Sequence, residues 1–246
     1  RRVGGDTGAI VPLSVSYLVL MAVASGAFAV APVPVLAAFV ALSGWHFGAA
    51  HADTQSPAPL RRHGTLVRSA LARGAPVLGI PLAVQPQASA GVAATVAALA
   101  GAAPVWDPAA VRVTGMALVA LGVAGLAAEA LGTRGERGGS AGVRATLLDL
   151  LVIGLFEAVA DPLFAVGSYF LGWHAWRQMP LLAAALGCRP IDGPRALGVA
   201  LLKIHVAALP LLVPTWAMIA AAWCWLPAAN LPRDARGLAA LSLAVY

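Results

Sequence analysis

Charge is scarce in this chain. Only 11% of its 246 residues are Asp, Glu, Lys or Arg, whereas 60% are hydrophobic and the mean hydropathy is +0.84. A soluble domain carries about a quarter charged residues, and a soluble fold of this length has no interior large enough for so much apolar surface. The composition therefore excludes an ordinary soluble domain and predicts an integral membrane protein, because lipid tolerates apolar side chains on the outside.

Short alternating patterns are also missing. Strands of a membrane barrel alternate apolar and polar residues over about ten positions, but here Leu, Val and Ala form long continuous runs. Such runs predict an all-α fold, a polytopic transmembrane helical bundle over residues 1–246, with no separate soluble domain. The final apolar run reaches Tyr246, and no initiator Met precedes Arg1, so we expect this bundle to be a fragment of a longer chain.

Cysteine and lysine are nearly absent. Cys188 and Cys224 are the only cysteines and have no metal-ligand spacing, so they predict two free thiols rather than a disulfide framework. Lys203 is the only lysine, and the net charge of +6 comes from arginines in short connections between apolar runs. That distribution is the usual topology signal of a membrane protein and predicts no nucleic-acid partner.

The arginine clusters also predict the topology. All of them fall on one face if the short Ala/Gly-rich run Ala88–Ala103 does not cross the bilayer. This gives eight crossings and the start of a ninth, a multi-pass protein of the cell membrane whose basic loops are cytoplasmic. The clusters are Arg1/Arg2, Arg61/Arg62, Arg134/Arg137/Arg144, Arg189/Arg195 and Arg233/Arg236.

Two histidine motifs lie in apolar segments. One is Trp45-His46-Phe47-Gly48, and the other runs from Tyr169 to Arg177 and contains His174. An ionisable residue inside a membrane span is costly to keep, so each histidine is a functional-site hypothesis. With a rise of about 1.5 Å per residue, His46, His174 and Asp149 lie at similar depths near the arginine-bearing face. They predict a metal site or a polar cavity there.

These motifs resemble the Brp/Blh family of bacterial and archaeal integral-membrane β-carotene 15,15′-dioxygenases. The resemblance also includes the segment Ala72-Arg73-Gly74-Ala75-Pro76-Val77-Leu78-Gly79-Ile80-Pro81 and the residues from Asp161 onward to Arg177. It implies cleavage of β-carotene by O2 at the central double bond to give two retinals, within membrane lipid. It further implies a non-haem Fe(2+) cofactor held by histidines, some of them in motifs before Arg1 and after Tyr246.

The resemblance assigns roles to particular residues. His46 and His174 are the implied metal ligands, and Gln178 stands where the family motif has a second histidine. Asp149 and Gln178 are interpreted as weak ligands or as partners that orient the ligands. His51 replaces an acidic residue of the family pattern. The aromatic residues are predicted to line a polyene slot or, alternatively, to form an interfacial belt: Trp45, Phe47, Phe170, Trp173 and Trp176.

Two other functions remain open at this stage. A relative that lacks part of the iron site would bind carotenoid or retinal without cleaving it. An ion-coupled transporter would instead use the intramembrane charges Asp149, Glu157, Asp161 and Lys203, although no repeated halves are visible. The remaining histidines have plainer interpretations. His51 and His63 are expected to be solvated at the membrane face, and His205 to pair with an acid inside the bundle.

Overall fold

The computed structural model describes residues 7–55, 63–132 and 139–225, and these ranges contain helices and no strand. The all-α prediction is therefore confirmed. The helices are α1 Thr7–Val30, α2 Pro32–Gln55, α3 His63–Val84, α4 Pro86–Ala98, α5 Pro108–Gly132, α6 Gly139–Val159, α7 Pro162–Ser168, a π-helical segment Tyr169–His174, α8 Ala175–Ala185 and α9 Pro194–Trp225.

Prolines begin many of these helices. α2, α4, α5, α7 and α9 each start at a proline, whose fixed φ suits the first helical turn and whose missing N–H has no partner to lose there. Two of these starts carry an aspartate cap. Asp107 accepts from the backbone N–H of Ala109 at 2.9 Å, and Asp161 accepts from that of Leu163 at 3.0 Å. Local sequence thus sets where these helices begin.

The predicted eight crossings and the start of a ninth are not confirmed. Within the described residues three helical stretches are long and apolar enough to cross a bilayer: Pro32–His51, Val67–Val84 and Pro108–Leu131. A fourth is added if the two halves of α9, which meet at 64°, form one broken span. The bend lies where α9 contains Pro210 and Pro214, each of which removes a helical hydrogen bond.

The described contacts divide the chain into two compact units. The first comprises Arg1–Val35, Thr95–Ala103 and Gln178–Tyr246, and the second comprises Leu36–Ala94 and Pro104–Arg177. In the first unit α1 packs on α9, where the hydroxyls of Tyr17 and Thr215 lie 3.3 Å apart. The second unit holds the histidine pair, the aromatic side chains around it and the Asp149 cluster described below. That residues 1–246 form a single domain stays a prediction.

Helix α3 is the central element of the second unit, and it packs against both α5 and α6. Its contact with α5 depends on small residues. A Cβ atom added at Gly115 would overlap the backbone of Leu82 and Ala83, and one added at Gly122 would overlap the Pro76 ring. Glycine allows two membrane helices to approach until their backbones touch.

Candidate functional site

The structure brings His46 and His174 together. His46 lies in α2 and His174 ends the π-helical segment, yet their ring centroids are 5.3 Å apart. The His174 side chain is buried, while His46 is exposed. A separation this short permits both imidazoles to bind one metal ion. Their role as ligands remains a prediction.

The π-helical segment explains how His174 reaches this position. In an α-helix Tyr169 and His174, five residues apart, would point about 140° away from each other. Hydrogen bonding from residue i to i+5 instead places such residues on one face. Both rings therefore contact Phe47, at centroid distances of 5.3 Å for Tyr169 and 5.1 Å for His174. The sequence carries no signal that predicted this local change of helix type.

Two glycines set the position of His46. Gly44 and Gly48 flank it in α2, and both lie against the backbone of α3. A Cβ atom at Gly48 would overlap the carbonyl group of Ala70, and one at Gly74 would overlap that of Gly44. The glycine of the His-Phe-Gly motif and that of the Arg73-Gly74 segment are thus parts of one helix contact.

An apolar and aromatic wall lies against the histidine pair, through Phe47, Tyr169 and Phe170. Phe47, Val77, Ile153 and Tyr169 form its buried core, with Leu78, Leu150, Phe170 and Trp173 packed against it. The Phe170 ring stacks on His174 at 5.6 Å with an interplanar angle of 18°. Of the five aromatic residues predicted to line a polyene slot, this wall contains Phe47, Phe170 and Trp173.

The other two predicted aromatic residues lie elsewhere. Trp176 is 56% exposed on α8 and Trp45 is half-buried on α2. Within the described ranges neither ring contacts His46 or His174. This placement agrees with the alternative interpretation of an interfacial belt for Trp45 and Trp176.

Asp149 is the centre of a charged cluster beside the histidine pair. Its Oδ2 lies 2.8 Å from Nη2 of Arg177 and 3.2 Å from Nε2 of His51. The guanidinium of Arg177 in turn lies 4.7 Å from the centroid of the Trp173 ring. The prediction of a solvated His51 is wrong: its side chain is 4% exposed, and its Nε2 contacts Asp149 of α6 and Arg177 of α8.

A buried ion pair and its hydrogen bonds join three helices, α3, α5 and α6. Arg73 of α3 donates from Nη1 to both oxygens of Glu129 of α5, at 2.8 and 2.9 Å, and from Nη2 to the hydroxyl of Thr146 in α6 at 3.3 Å. The Ser69 hydroxyl also donates to Glu129. From the sequence, Arg73 stood out only as part of a motif and Glu129 was missed, although Glu129 is the only acid in the apolar run of α5.

Within the described residues, the other charges of the transporter alternative do not form a common path. Glu157 is fully buried, and within the described residues neither of its carboxylate oxygens has a hydrogen-bond partner. Asp161 caps α7, and Lys203 is exposed. The prediction for His205 is wrong: it is exposed, and its Nδ1 lies 2.7 Å from the carbonyl oxygen of Leu201 in its own helix. The side chain of His63 lies outside the described residues.

Gln178 is the last predicted site residue. It lies in α8 one turn after His174 and is assigned to the first unit, so its proposed role as a weak ligand stays a prediction. In the described ranges no group of three or more His, Cys, Asp or Glu side chains is arranged to hold a metal ion. The described residues thus offer a two-imidazole partial ligand set.

These features define a class of protein: an apolar helical protein with adjacent histidines set in an aromatic wall. Comparison with known proteins gives the family. The family described as Beta-carotene 15,15′-dioxygenase matches residues 5–245, and the chain belongs to it.

A curated relative has the same description. The chain is 30% identical over 248 residues to a probable beta-carotene 15,15′-dioxygenase Blh of Halobacterium salinarum (strain ATCC 700922 / JCM 11081 / NRC-1). The match covers 94% of this chain and 68% of the relative. No solved structure matches the chain.

Proposed function

We propose that this protein is a membrane-bound non-haem-iron oxygenase that cleaves β-carotene at its central double bond. The family supports a carotenoid as substrate. The observation that carries the iron site is the 5.3 Å separation of the His46 and His174 rings beside a wall of aromatic side chains. One O2 adds one oxygen atom to each carbon of the broken bond, so two retinal molecules form and no further reductant is needed.

The histidine pair fits iron as a partial ligand set. Two imidazoles bound to one metal ion at about 2.0–2.1 Å have ring centroids roughly 4.5–6.5 Å apart, depending on the angle between the bonds. Neutral imidazole suits Fe(2+), which when bound would supply the capacity to bind and activate O2. Water, Gln178 or groups outside the described residues would complete the coordination.

The residues around the pair suit a hydrocarbon substrate. β-Carotene has no polar group and partitions into membrane lipid, so a site within an apolar helical bundle meets it without transfer through water. Phe47 and Phe170 provide flat apolar surfaces against the His174 ring, which Phe170 stacks on and Phe47 meets at a tilt. We infer that these two rings orient the polyene and exclude water. We also propose that the protein lies in the cell membrane with its basic loops on the cytoplasmic side.

Expression of the full-length protein in cells that accumulate β-carotene tests the proposal. We expect the cells to lose their orange colour and to form retinal, because cleavage divides the conjugated chain. His174→Ala should reduce retinal formation at least 100-fold, since it removes one implied ligand. His205→Ala is the matched control and should leave retinal formation unchanged, because the ring is exposed and, among the described residues, its hydrogen-bond contact is with Leu201 of its own helix.

A non-catalytic carotenoid- or retinal-binding relative is the second candidate. Gln178, at the position of a family histidine, favours it. In that case the wild-type protein would co-purify with pigment while the cells stay orange. Gln178→His would then raise iron content if that position faces the metal.

A further inference from the structure

One carboxylate connects the two chain segments that carry the histidine pair. His51 follows His46 in α2 by five residues, about 7.5 Å along the helix, and Arg177 follows His174 by three residues. Asp149 of α6 lies within 3.2 Å of both, at 2.8 Å from Arg177 and 3.2 Å from His51. Asp149 therefore contacts a residue that follows His46 in the sequence and a residue that follows His174.

The chemistry of the three groups makes the Arg177–Asp149 pair the constant part of this connection. Arginine only donates and an ionised carboxylate only accepts, so the two groups always match. His51 Nε2 lies 3.1 Å from Nη1 of Arg177 as well as 3.2 Å from Asp149. A single ring nitrogen donates to the carboxylate in one tautomer or accepts from the guanidinium in the other. In either tautomer His51 forms a hydrogen bond between α2 and the Arg177–Asp149 pair.

Arg177 also acts on the segment that presents His174. Its guanidinium lies over Trp173, the residue immediately before His174. A guanidinium that is held by a carboxylate and lies over an indole has two contacts that restrict its movement. A π-helical segment is an uncommon local structure. The contact of Arg177 with Trp173 stabilises the last turn of this one.

We propose that Asp149 is a positioning residue that, through Arg177 and His51, holds the π-helical segment and α2 in the arrangement that keeps His174 beside His46. The inference rests on the proposed function only where it concerns metal affinity. The arrangement of Trp173 and Arg177 is a separate consequence and is measurable without any metal.

Fluorine NMR of the metal-free, full-length protein labelled with 5-fluorotryptophan tests the arrangement. Trp173→Phe identifies the Trp173 resonance. Asp149→Asn should shift and broaden that resonance, because an amide holds the guanidinium less firmly than a carboxylate does. Asp149→Glu keeps the charge and should restore part of the wild-type signal. Asp161→Asn is the matched control and should leave the Trp173 resonance unchanged, because asparagine caps a helix as well as aspartate does.

Cobalt titration followed by visible absorption provides the second readout. Partners that orient metal ligands typically contribute about 10–100-fold in affinity, so Asp149→Asn should weaken Co²⁺ binding by at least 10-fold and Asp161→Asn should not weaken it. If wild-type protein binds no Co²⁺, the proposed iron site fails, while the fluorine signal still decides the positioning role. If Asp149→Asn does not fold, Arg177→Lys replaces it, because it keeps the charge but loses the planar stack. An unchanged Trp173 resonance in the folded variant would overturn the proposal.

Discussion

At the scale of single residues, the position of His46 depends on a glycine two residues further along α2. Gly48 lies against the Ala70 carbonyl and the Gly74 backbone, where a Cβ atom has no room. We predict that Gly48→Ala destabilises the protein by about 1–3 kcal/mol, since two helix backbones must separate to admit the methyl group. Thermal unfolding of the detergent-solubilised protein measures this effect.

The control for this prediction is the same substitution where space is open. A Cβ atom at Gly26 in α1 would have no heavy atom within 4 Å. Gly26→Ala should therefore be neutral or stabilising by up to about 1 kcal/mol, because alanine is the better helix former. Equal melting temperatures for the two variants would contradict the close approach of α2 to α3.

Single residues also show where sequence reasoning succeeds and where it ends. His46 and His174 were predicted to share a site because ionisable side chains are rare in apolar segments and their depths follow from helix rise. The burial of His51 was not predictable in this way. Its partner Asp149 is 98 positions away in the sequence, and one position on a helix does not reveal which neighbour faces it.

At the scale of elements, α3, α5 and α6 are joined by the Arg73–Glu129 pair and its hydroxyl neighbours. Both charges are buried in an apolar bundle. Removal of one partner leaves the other uncompensated, so we predict that Arg73→Met and Glu129→Leu each cost about 3–5 kcal/mol. The double variant Arg73→Met/Glu129→Leu should cost much less than the sum, because no unpaired charge remains. A double-mutant cycle of unfolding free energies measures this coupling.

Additive costs in that cycle would contradict a direct ion pair. The control is Arg112→Met in α5, at an exposed position near the start of the helix. It removes an arginine from the same bundle without breaking the Arg73–Glu129 pair, and we expect it to change stability by less than about 1 kcal/mol.

Local sequence indicates where helices begin better than it indicates whether a segment is α-helical or π-helical. Prolines and aspartate caps mark the starts of α5 and α7, and both signals are visible in the sequence. The π-helical segment has no such signal. It interrupts the α-helical pattern between α7 and α8, and it is stabilised by contacts of Tyr169 and His174 with Phe47 of another helix. Tertiary contacts of this kind cannot be derived from periodicity alone.

At the scale of the whole molecule, the helical class followed directly from composition, whereas the number of crossings did not. Apolar runs show which segments lipid can accept, but they do not show whether a segment is continuous, bent or short. α9 illustrates the difference, because prolines bend an apolar run that composition alone would count as regular spans.

The path of α4 is the remaining topological question, and its length suggests the answer. Its 13 residues extend about 20 Å at 1.5 Å per residue, less than the roughly 30 Å of a bilayer core. We therefore predict that positions 87 and 103, both exposed, lie on the same, outer side of the membrane. In a background where Cys188 and Cys224 are replaced by serine, Gln87→Cys and Ala103→Cys should both react with an impermeant maleimide added to intact cells. Reaction of only one of the two positions would show that α4 crosses, which would place the arginines around position 134 on the outer face, against the positive-inside rule.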